Sequence, residues 1–180
     1  MQTSSTQLWS HIRTVSDFPK PGIEFFDLTP LFMTQIDALT DALIASIPAE
    51  QLQEVDSFIA VEARGFVLAS LLAQRLGKGL LLVRKAGKLP PPVVGVGYSL
   101  EYGMDRLEMS AGVPAQKVII VDDVLATGGT LKAVKELADK CEHTVLGASI
   151  FLDLPDLHGD LGFNVWPVLD DKSKPTQDVA

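Results

Sequence analysis

The sequence predicts an α/β domain with a parallel sheet whose two faces are covered by helices. Short, continuously apolar segments of strand length alternate with segments whose apolar residues recur at helical spacing. This alternation is typical of parallel sheets that are buried on both sides. The length of 180 residues, with 47% hydrophobic and 21% charged residues, fits one globular domain over residues 1–180.

The N-terminal part precedes this alternation. Leu8, Ile12 and Val15 lie on one face of a predicted helix over 6–15, and the proline-rich sequence that follows ends it. A second helix is predicted over 36–47, where apolar residues again recur at helical spacing and a proline follows.

The predicted sheet is formed by the apolar segments 57–61, 79–84, 117–121 and 144–152, and the helices between them cover 65–76 and 130–140. Residues 86–103 contain three consecutive prolines and four glycines without a clear core pattern. A segment of this kind is usually a functional lid or a disordered loop. The polar residues 171–180 are expected to form a loose tail.

Composition excludes several classes of function. The formal net charge of −8 disfavours nucleic-acid binding, which normally needs a basic surface. No apolar segment approaches the ~20 residues of a membrane span, and the N-terminus does not resemble a signal peptide. The single cysteine, Cys141, suits a reducing environment, so we expect a cytoplasmic protein. Arg84, Lys85 and Lys88 form a basic cluster that indicates either a small anionic ligand or a solvated loop.

The most informative segment is Val-Ile-Ile-Val-Asp-Asp-Val-Leu-Ala-Thr-Gly-Gly-Thr at 118–130. A buried strand is predicted to end at two carboxylates, Asp122 and Asp123, and a glycine-rich turn then leads into a helix. Ligands of parallel sheets bind at the carboxyl ends of strands, and a helix N-terminus with free N–H groups favours phosphate. The residues expected to bind phosphate are Ala126, Thr127, Gly128, Gly129 and Thr130. Two carboxylates beside them predict a ligand that carries both a phosphate and a vicinal diol.

Four segments together resemble the adenine-specific branch of the type I phosphoribosyltransferases. They are the acidic segment above, Phe-Pro-Lys-Pro-Gly-Ile-Glu-Phe-Phe-Asp-Leu-Thr-Pro at 18–30, Glu-Ala-Arg-Gly-Phe at 62–66, and Arg-Lys-Ala-Gly-Lys-Leu-Pro at 84–90 leading to Tyr-Ser-Leu-Glu-Tyr-Gly at 98–103. They occur in the order found in that family. The resemblance implies a parallel-sheet type I phosphoribosyltransferase core with a small N-terminal base-binding hood, about 1–35, and a flexible catalytic lid, about 86–103.

The resemblance also implies the reaction and the residues that perform it. Adenine would displace pyrophosphate from phosphoribosyl diphosphate, with Mg²⁺ held mainly through the substrate and no direct metal ligand in the chain. Asp122 and Asp123 would hold the ribose hydroxyls, and Arg64 and the lid residue Glu101 would be catalytic. The residues implied for pyrophosphate are Ala63, Arg64, Arg84, Lys85 and Lys88, those for adenine are Glu24, Phe25, Phe26 and Leu154, and those of the lid are Tyr98 and Tyr102. The peptide between Glu62 and Ala63 would be cis, and a homodimer is expected.

Three alternatives remain open from the sequence. The chain could act on another base, it could be a regulator that senses phosphoribosyl diphosphate, or it could be a generic nucleotide-binding module. The segment around Phe25 and the lid favour adenine, while the charge of −8 and the absence of a second domain disfavour a regulator. A generic module would have no use for the acidic pair.

Overall fold

The computed structural model describes residues 4–100 and 103–175 and contains two sheets. The helices are α1 (Ser5–Trp9), α2 (Thr29–Thr34), α3 (Ile36–Ser46), α4 (Ala49–Glu54), α5 (Gly65–Leu76) and α6 (Gly129–Lys140). The strands are β1 (Arg13–Ser16), β2 (Glu24–Asp27), β3 (Ser57–Val61), β4 (Gly79–Lys85), β5 (Val93–Leu100), β6 (Gly103–Ser110), β7 (Lys117–Leu125), β8 (Thr144–Asp153) and β9 (Val165–Asp170). The larger sheet has the order β5-β6-β4-β3-β7-β8-β9, and β1 and β2 pair separately.

The predicted parallel sheet is confirmed for β4, β3, β7 and β8, and it is extended by β9, which the sequence did not predict. The strand at 57–61 and the helix at 65–76 have the predicted bounds, because both are local patterns with clear ends. Gly77 ends that helix in the left-handed conformation, at φ 64°. Strand β7 continues to Leu125, beyond the predicted end at 121, because its pairing with β8 extends to the partners Leu125 and Asp153.

The prediction of one helix over 6–15 is wrong. Helix α1 ends at Trp9, and residues 13–16 instead form a strand that pairs antiparallel with β2. The apolar residues at helical spacing are still buried or half-buried, so the same spacing is satisfied by a short helix followed by a strand. Tertiary pairing has overridden the helical pattern. The two-stranded sheet lies within residues 1–35, approximately the part for which a hood was expected, and we call this part of the chain the hood.

The expectation of an irregular segment is wrong for Val93–Leu100. This stretch is strand β5, which pairs antiparallel with β6 along its whole length. Val96 of β5 and Leu107 and Met109 of β6 are buried against the core that also contains α6. Glycines between the valines of β5 hide the alternation that would otherwise predict a strand. Much of the segment expected to form a lid is therefore the edge strand of the larger sheet.

The tail is also more ordered than predicted. Residues Asp171–Ser173 form a short 3₁₀ helix, and Ser173 Oγ accepts a hydrogen bond of 3.2 Å from Trp9 Nε1. Lys174 pairs with Glu24 at 3.2 Å and lies over the ring of Phe26. The expectation of a loose tail is therefore wrong for 171–175, whereas 176–180 lie outside the described residues. These contacts join the end of the sheet to the hood.

Across residues 4–100 and 103–175, the structure contains no helix with the length and apolar content that crossing a membrane requires.

A buried histidine directly before β8 is expected to make the stability of the protein depend on pH. His143 is 4% exposed, and its Nδ1 accepts a hydrogen bond from the backbone N–H of Gln116 at 3.2 Å. Burial lowers the pKa of His143 below its ordinary value near 6.5. Since the unfolded chain then binds a proton more readily, the free energy of unfolding should fall as the pH drops below about 6.5.

Urea unfolding between pH 7 and 5 tests this prediction. The matched variant is His143→Asn, whose side-chain oxygen can still accept from Gln116 but does not titrate. The wild-type protein should lose more stability than the variant over this range. Parallel losses in the two proteins would assign the pH dependence to other groups.

Candidate active site

The acidic pair lies within strand β7, not after its end as the sequence predicted. Asp122 and Asp123 are 9% and 7% exposed. The backbone N–H of Asp123 donates to Asp122 Oδ1 at 2.9 Å. Burial, and next the neighbouring carboxylate of Asp123, raise the pKa of Asp122 well above its ordinary range. A buried acidic pair of this kind is suited to accept hydrogen bonds from hydroxyl groups of a ligand or to stabilise positive charge.

The predicted phosphate turn leads from β7 into α6. Gly128 adopts φ 79° at the N-terminal cap, and α6 begins at Gly129 with neither a capping side chain nor an acidic residue in its first turn. Of the two glycines, only Gly128 needs positive φ. The first amide groups of a helix lack partners within the helix, so this uncapped end can bind a phosphate group. Thr127 is exposed and Thr130 half-buried beside it.

Leu161 covers this turn from the loop between β8 and β9. A Cβ atom at Gly128 would lie 2.5 Å from Leu161 Cδ2. The room beside Gly128 is therefore occupied by the protein itself, which the sequence did not reveal.

This contact makes Gly128→Ala a test of the turn. Positive φ in alanine should cost about 1–2 kcal/mol of unfolding free energy, and Leu161 must also move. We expect weaker binding of phosphoribosyl diphosphate in calorimetric titration together with a lower urea midpoint. Gly128→Ala combined with Leu161→Ala should recover part of the affinity, because it restores room but not the backbone conformation. Unchanged affinity in a folded Gly128→Ala protein would place the phosphate elsewhere.

A second turn brings Arg64 next to the acidic pair. It joins β3 to α5, and the peptide between Glu62 and Ala63 is cis, as the resemblance implied. Helix α5 starts very close to β7, since a Cβ atom at Gly65 would lie 2.7 Å from the carbonyl oxygen of Val121. Ala63 is exposed at this turn. The absence of a side chain at Gly65 thus allows the arginine turn to contact the strand that carries the carboxylates.

The guanidinium of Arg64 contacts three groups from two parts of the molecule. Its Nε lies 2.6 Å from Asp123 Oδ2, and its Nη1 donates to the backbone carbonyl of Phe26 at 3.0 Å. Its Cζ also lies 4.9 Å from the ring centre of Phe25. The Nε contact is an ion pair without hydrogen-bond geometry, so among the described residues Asp123 Oδ2 has no hydrogen-bond partner. Arg64 therefore links the sheet to the hood.

The basic cluster lies beside the same turn. Arg84 pairs with Glu62 through two contacts of 3.2 and 3.3 Å, and its Nη1 donates to the carbonyl of Lys88. The pKa of Glu62 is lowered, first by the hydrogen bond from the backbone N–H of Lys85 and then by Arg84. The side chain of Lys85 is 58% exposed and pairs with Asp105 at 3.3 Å. Lys85 and Lys88 therefore face solvent near Arg64, whereas Arg84 is held within its own chain.

The residues implied for adenine lie in the hood and in the loop after β8. Phe25 is half-buried, contacts the edge of Phe18 and lines a groove with Val15 and Thr29. Phe26 is buried, and its carbonyl is bound by Arg64. Leu154 packs against the apolar cluster that contains Phe26. The side chain of Glu24 pairs with Lys174, which leaves the backbone of Glu24 as its candidate contact with a base.

The lid residues are described only in part. The phenol of Tyr98 interacts with the side chains of Asp105 and Thr130, and burial raises the pKa of Tyr98. This places Tyr98 of β5 at the start of α6. Glu101 and Tyr102 lie outside the described residues.

The sequence did not single out Glu62 or Leu161. Glu62 holds Arg84 and the backbone of Lys85, and Leu161 covers Gly128. The only signal for Glu62 was its position next to the arginine turn. The sequence carried no signal for Leu161, because its contact depends on how the loop after β8 folds back.

Comparisons with known proteins agree with this geometry. The pattern of the family described as phosphoribosyl transferase domain matches residues 33–177. An adenine phosphoribosyltransferase of Mycolicibacterium smegmatis is 47% identical over 152 residues, covering 82% of each chain. The crystal structure of the adenine phosphoribosyltransferase from Rhodothermus marinus has a TM-score of 0.81 at 37% identity and covers 91% of this chain and 96% of that one.

The enzyme of Saccharomyces cerevisiae, crystallised with D-2,5-dideoxy-2,5-imino-altritol 1,6-bisphosphate and adenine, has a TM-score of 0.83 at 34% identity. That match covers 91% of this chain and 97% of the yeast chain. Similarity therefore extends over nearly the whole length of both proteins, and the matched residues 33–177 contain β7, the turn that follows it and Arg64. On this evidence the chain belongs to the phosphoribosyl transferase family, and within it to the adenine phosphoribosyltransferases.

Proposed function

We propose that this protein transfers the phosphoribosyl group of phosphoribosyl diphosphate to adenine, giving AMP and pyrophosphate. The observation that carries the proposal is the junction of a buried carboxylate pair, an uncapped helix N-terminus and an arginine that reaches into the hood. A phosphate, a ribose diol and a flat base attached to one another require these three features side by side. The names of the related proteins support adenine as the base.

In the proposed reaction, a ring nitrogen of adenine attacks the anomeric carbon as its bond to the pyrophosphate oxygen breaks. Positive charge develops on the ribose, and the carboxylates of Asp122 and Asp123 stabilise it while they accept hydrogen bonds from the ribose hydroxyls. The free amide groups of the turn and of α6 hold the 5′-phosphate. Arg64, Lys85 and Lys88 neutralise the departing pyrophosphate. From the resemblance alone, Glu101 is proposed to manage the proton of adenine.

Magnesium is proposed to enter with the substrate. Among the described residues, no three His, Cys, Asp or Glu side chains cluster as a metal site would require. Diphosphate oxygens are ligands that Mg²⁺ prefers, and Asp123 Oδ2, which accepts no hydrogen bond, already has the cationic group of Arg64 beside it. When bound, the metal would neutralise part of the diphosphate charge. The cytoplasmic location stays a prediction from the sequence.

A direct assay separates this function from its alternatives. Purified protein with Mg²⁺ and phosphoribosyl diphosphate should form AMP from adenine faster than it forms nucleotides from hypoxanthine, guanine, xanthine or orotate. Faster reaction with one of those bases would overturn the assignment of adenine. Binding of phosphoribosyl diphosphate without turnover of any base would favour a regulator.

We also propose that the protein is a homodimer, and an apolar surface on β4 and α5 supports this. Leu80 and Leu82 of β4 are 39% and 38% exposed, and Val67 of α5 is 39% exposed. Among the described residues, β6 pairs with residues 83–85 of β4. One edge of the first half of β4, residues 79–82, therefore has no neighbouring strand. A second copy related by a two-fold axis would cover these side chains and bring the neighbouring basic cluster to the interface.

Sedimentation velocity tests the assembly. We expect a dimer for the wild-type protein and a monomer for Leu82→Glu, because a charge would be buried without a partner. Met33, which is 77% exposed on α2, offers a control, since Met33→Glu should leave the dimer intact. A fully active wild-type monomer would overturn the proposal.

A further inference from the structure

An ion pair closes the loop that follows β8. Asp153 is the last residue of that strand, and its Oδ1 lies 2.8 Å from His158 Nε2. The other ring nitrogen, Nδ1, lies 2.9 Å from the backbone carbonyl oxygen of Gly159. The side chains of His158 and Asp153 are only 14% and 16% exposed. The pair thus spans the base of a short loop whose first turn is the 3₁₀ helix Pro155–Leu157.

Both partners of the imidazole are hydrogen-bond acceptors. A carboxylate and a carbonyl oxygen cannot donate, so each ring nitrogen must carry a hydrogen for both contacts to exist. Neutral histidine has one N–H group and would lose one of them. Both contacts are hydrogen bonds at the same time only in the imidazolium form. The carbonyl of Gly159, and then the carboxylate of Asp153, raise the pKa of His158 above its ordinary value.

The loop contacts two parts of the active site. At its start, the backbone N–H of Leu154 donates to the carbonyl of Leu125 at 2.9 Å, which fixes Leu154 beside the end of β7. Beyond the pair, Leu161 packs on Gly128 of the phosphate turn. His158 lies between these two contacts along the chain. The contacts of His158 therefore hold the segment that connects Leu154 to Leu161.

The other charged groups near the imidazole are few. Lys132 of α6 faces it and opposes its protonation, while Asp153 of β8 favours it. Within the loop, Asp156 pairs with Lys172, and Asp160 Oδ1 accepts from the backbone N–H of Gly162. The carbonyl of Gly159 and the carboxylate of Asp153 therefore favour the proton on His158, against burial and, to a smaller extent, Lys132.

We infer that His158 is a positioning residue for nucleotide binding, which holds Leu154 and Leu161 against the site only while its imidazole is doubly protonated. Loss of the proton releases one of the two contacts and loosens the loop. Affinity for AMP should then decrease as the pH rises through the range in which His158 titrates. This inference rests on the proposed function, since AMP is the proposed product.

The test compares AMP affinity in wild-type protein and His158→Lys by calorimetric titration from pH 6 to 9. Lysine keeps a cation near Asp153 but does not titrate in this range. The phosphate of AMP titrates in both experiments alike, so its effect cancels in the ratio of the two affinities. We expect the ratio of wild-type to variant affinity to fall about three- to tenfold as the pH rises, the size expected when one ordinary intramolecular hydrogen bond is lost. His11→Gln serves as a matched control that should leave the wild-type pH profile unchanged.

Failure of the role of His158 can be told apart from failure of the proposed function. A ratio that stays constant from pH 6 to 9 in a protein that forms AMP from adenine would overturn the role of His158 alone. A protein that neither binds AMP nor forms it would overturn the proposed function, and the role of His158 with it. If His158→Lys does not fold, Asp153→Asn replaces it. Without the carboxylate His158 should lose its proton at lower pH, and an unmoved profile would overturn the inference.

Discussion

Arg64→Ala should reduce kcat/KM for phosphoribosyl diphosphate by about 10²–10³-fold, the loss typical when one preorganised donor to a developing negative charge is removed. Its guanidinium contacts Asp123, the carbonyl of Phe26 and the ring of Phe25. The same group must neutralise pyrophosphate in the proposed reaction. The variant loses this charge and also the link between sheet and hood, so KM for adenine should rise as well. Steady-state kinetics with each substrate varied in turn measure both effects.

Two further variants show whether the arginine acts through its geometry. Arg64→Lys keeps the positive charge but cannot make several directed contacts at once, so we expect it to recover only a small part of the activity. Arg75→Ala removes an arginine from the last turn of α5, the helix that begins directly after Arg64. Arg75 pairs there with the exposed carboxylates of Asp37 and Asp41. Activity should be nearly unchanged there. Equal losses in Arg64→Ala and Arg75→Ala would point to destabilisation of α5.

Gly65→Val should lower both stability and turnover strongly. The start of α5 approaches β7 so closely that a Cβ atom would lie 2.7 Å from the carbonyl oxygen of Val121 and 3.2 Å from Asp122 Oδ1. Helix and strand must then separate, which should cost about 1–3 kcal/mol of unfolding free energy. The separation also moves Arg64 away from Asp123, and a displacement of about 1 Å at a reacting centre can cost 10²-fold in rate.

Urea unfolding and single-turnover kinetics test this variant. Ser70→Val on the exposed face of α5 is the matched control, and it should change neither quantity by much. Gly65→Ala should show a smaller loss than Gly65→Val. Wild-type turnover in a folded Gly65→Val protein would mean that the contact between α5 and β7 does not set the position of Arg64.

The elements that the sequence predicted well are those whose pattern is local. Strand β3 and helix α5 have short, uninterrupted apolar patterns with a glycine at the helix end, so their bounds were found. Strand β5 was missed because glycines alternate with its valines and leave little to distinguish it from a loop. The strand at 13–16 was missed because its partner, β2, determines its conformation.

In the candidate site, too, the features within one segment could be predicted, whereas contacts between distant segments could not. Asp122, Asp123 and the phosphate turn could be predicted because one continuous segment contains them. The contact of Leu161 with Gly128 and the pairing of Glu62 with Arg84 join segments that are distant in sequence, so no local pattern indicates them. Arg64 was predicted as a pyrophosphate ligand, but its contacts with Phe25 and Phe26 depend on how the hood folds over the sheet.

The contacts between the tail and the hood have a consequence for biosynthesis. Lys174 binds Glu24 across 150 positions of sequence, and Ser173 binds Trp9 across 164. During synthesis the hood leaves the ribosome first, and Ser173 and Lys174, which contact it, leave last. The emerging chain can therefore form β3, α5, β7 and the turn proposed to bind phosphate while β2, proposed to bind adenine, still lacks its final partners. In the order of synthesis, the proposed phosphate site can thus form before the proposed base site has its last contacts.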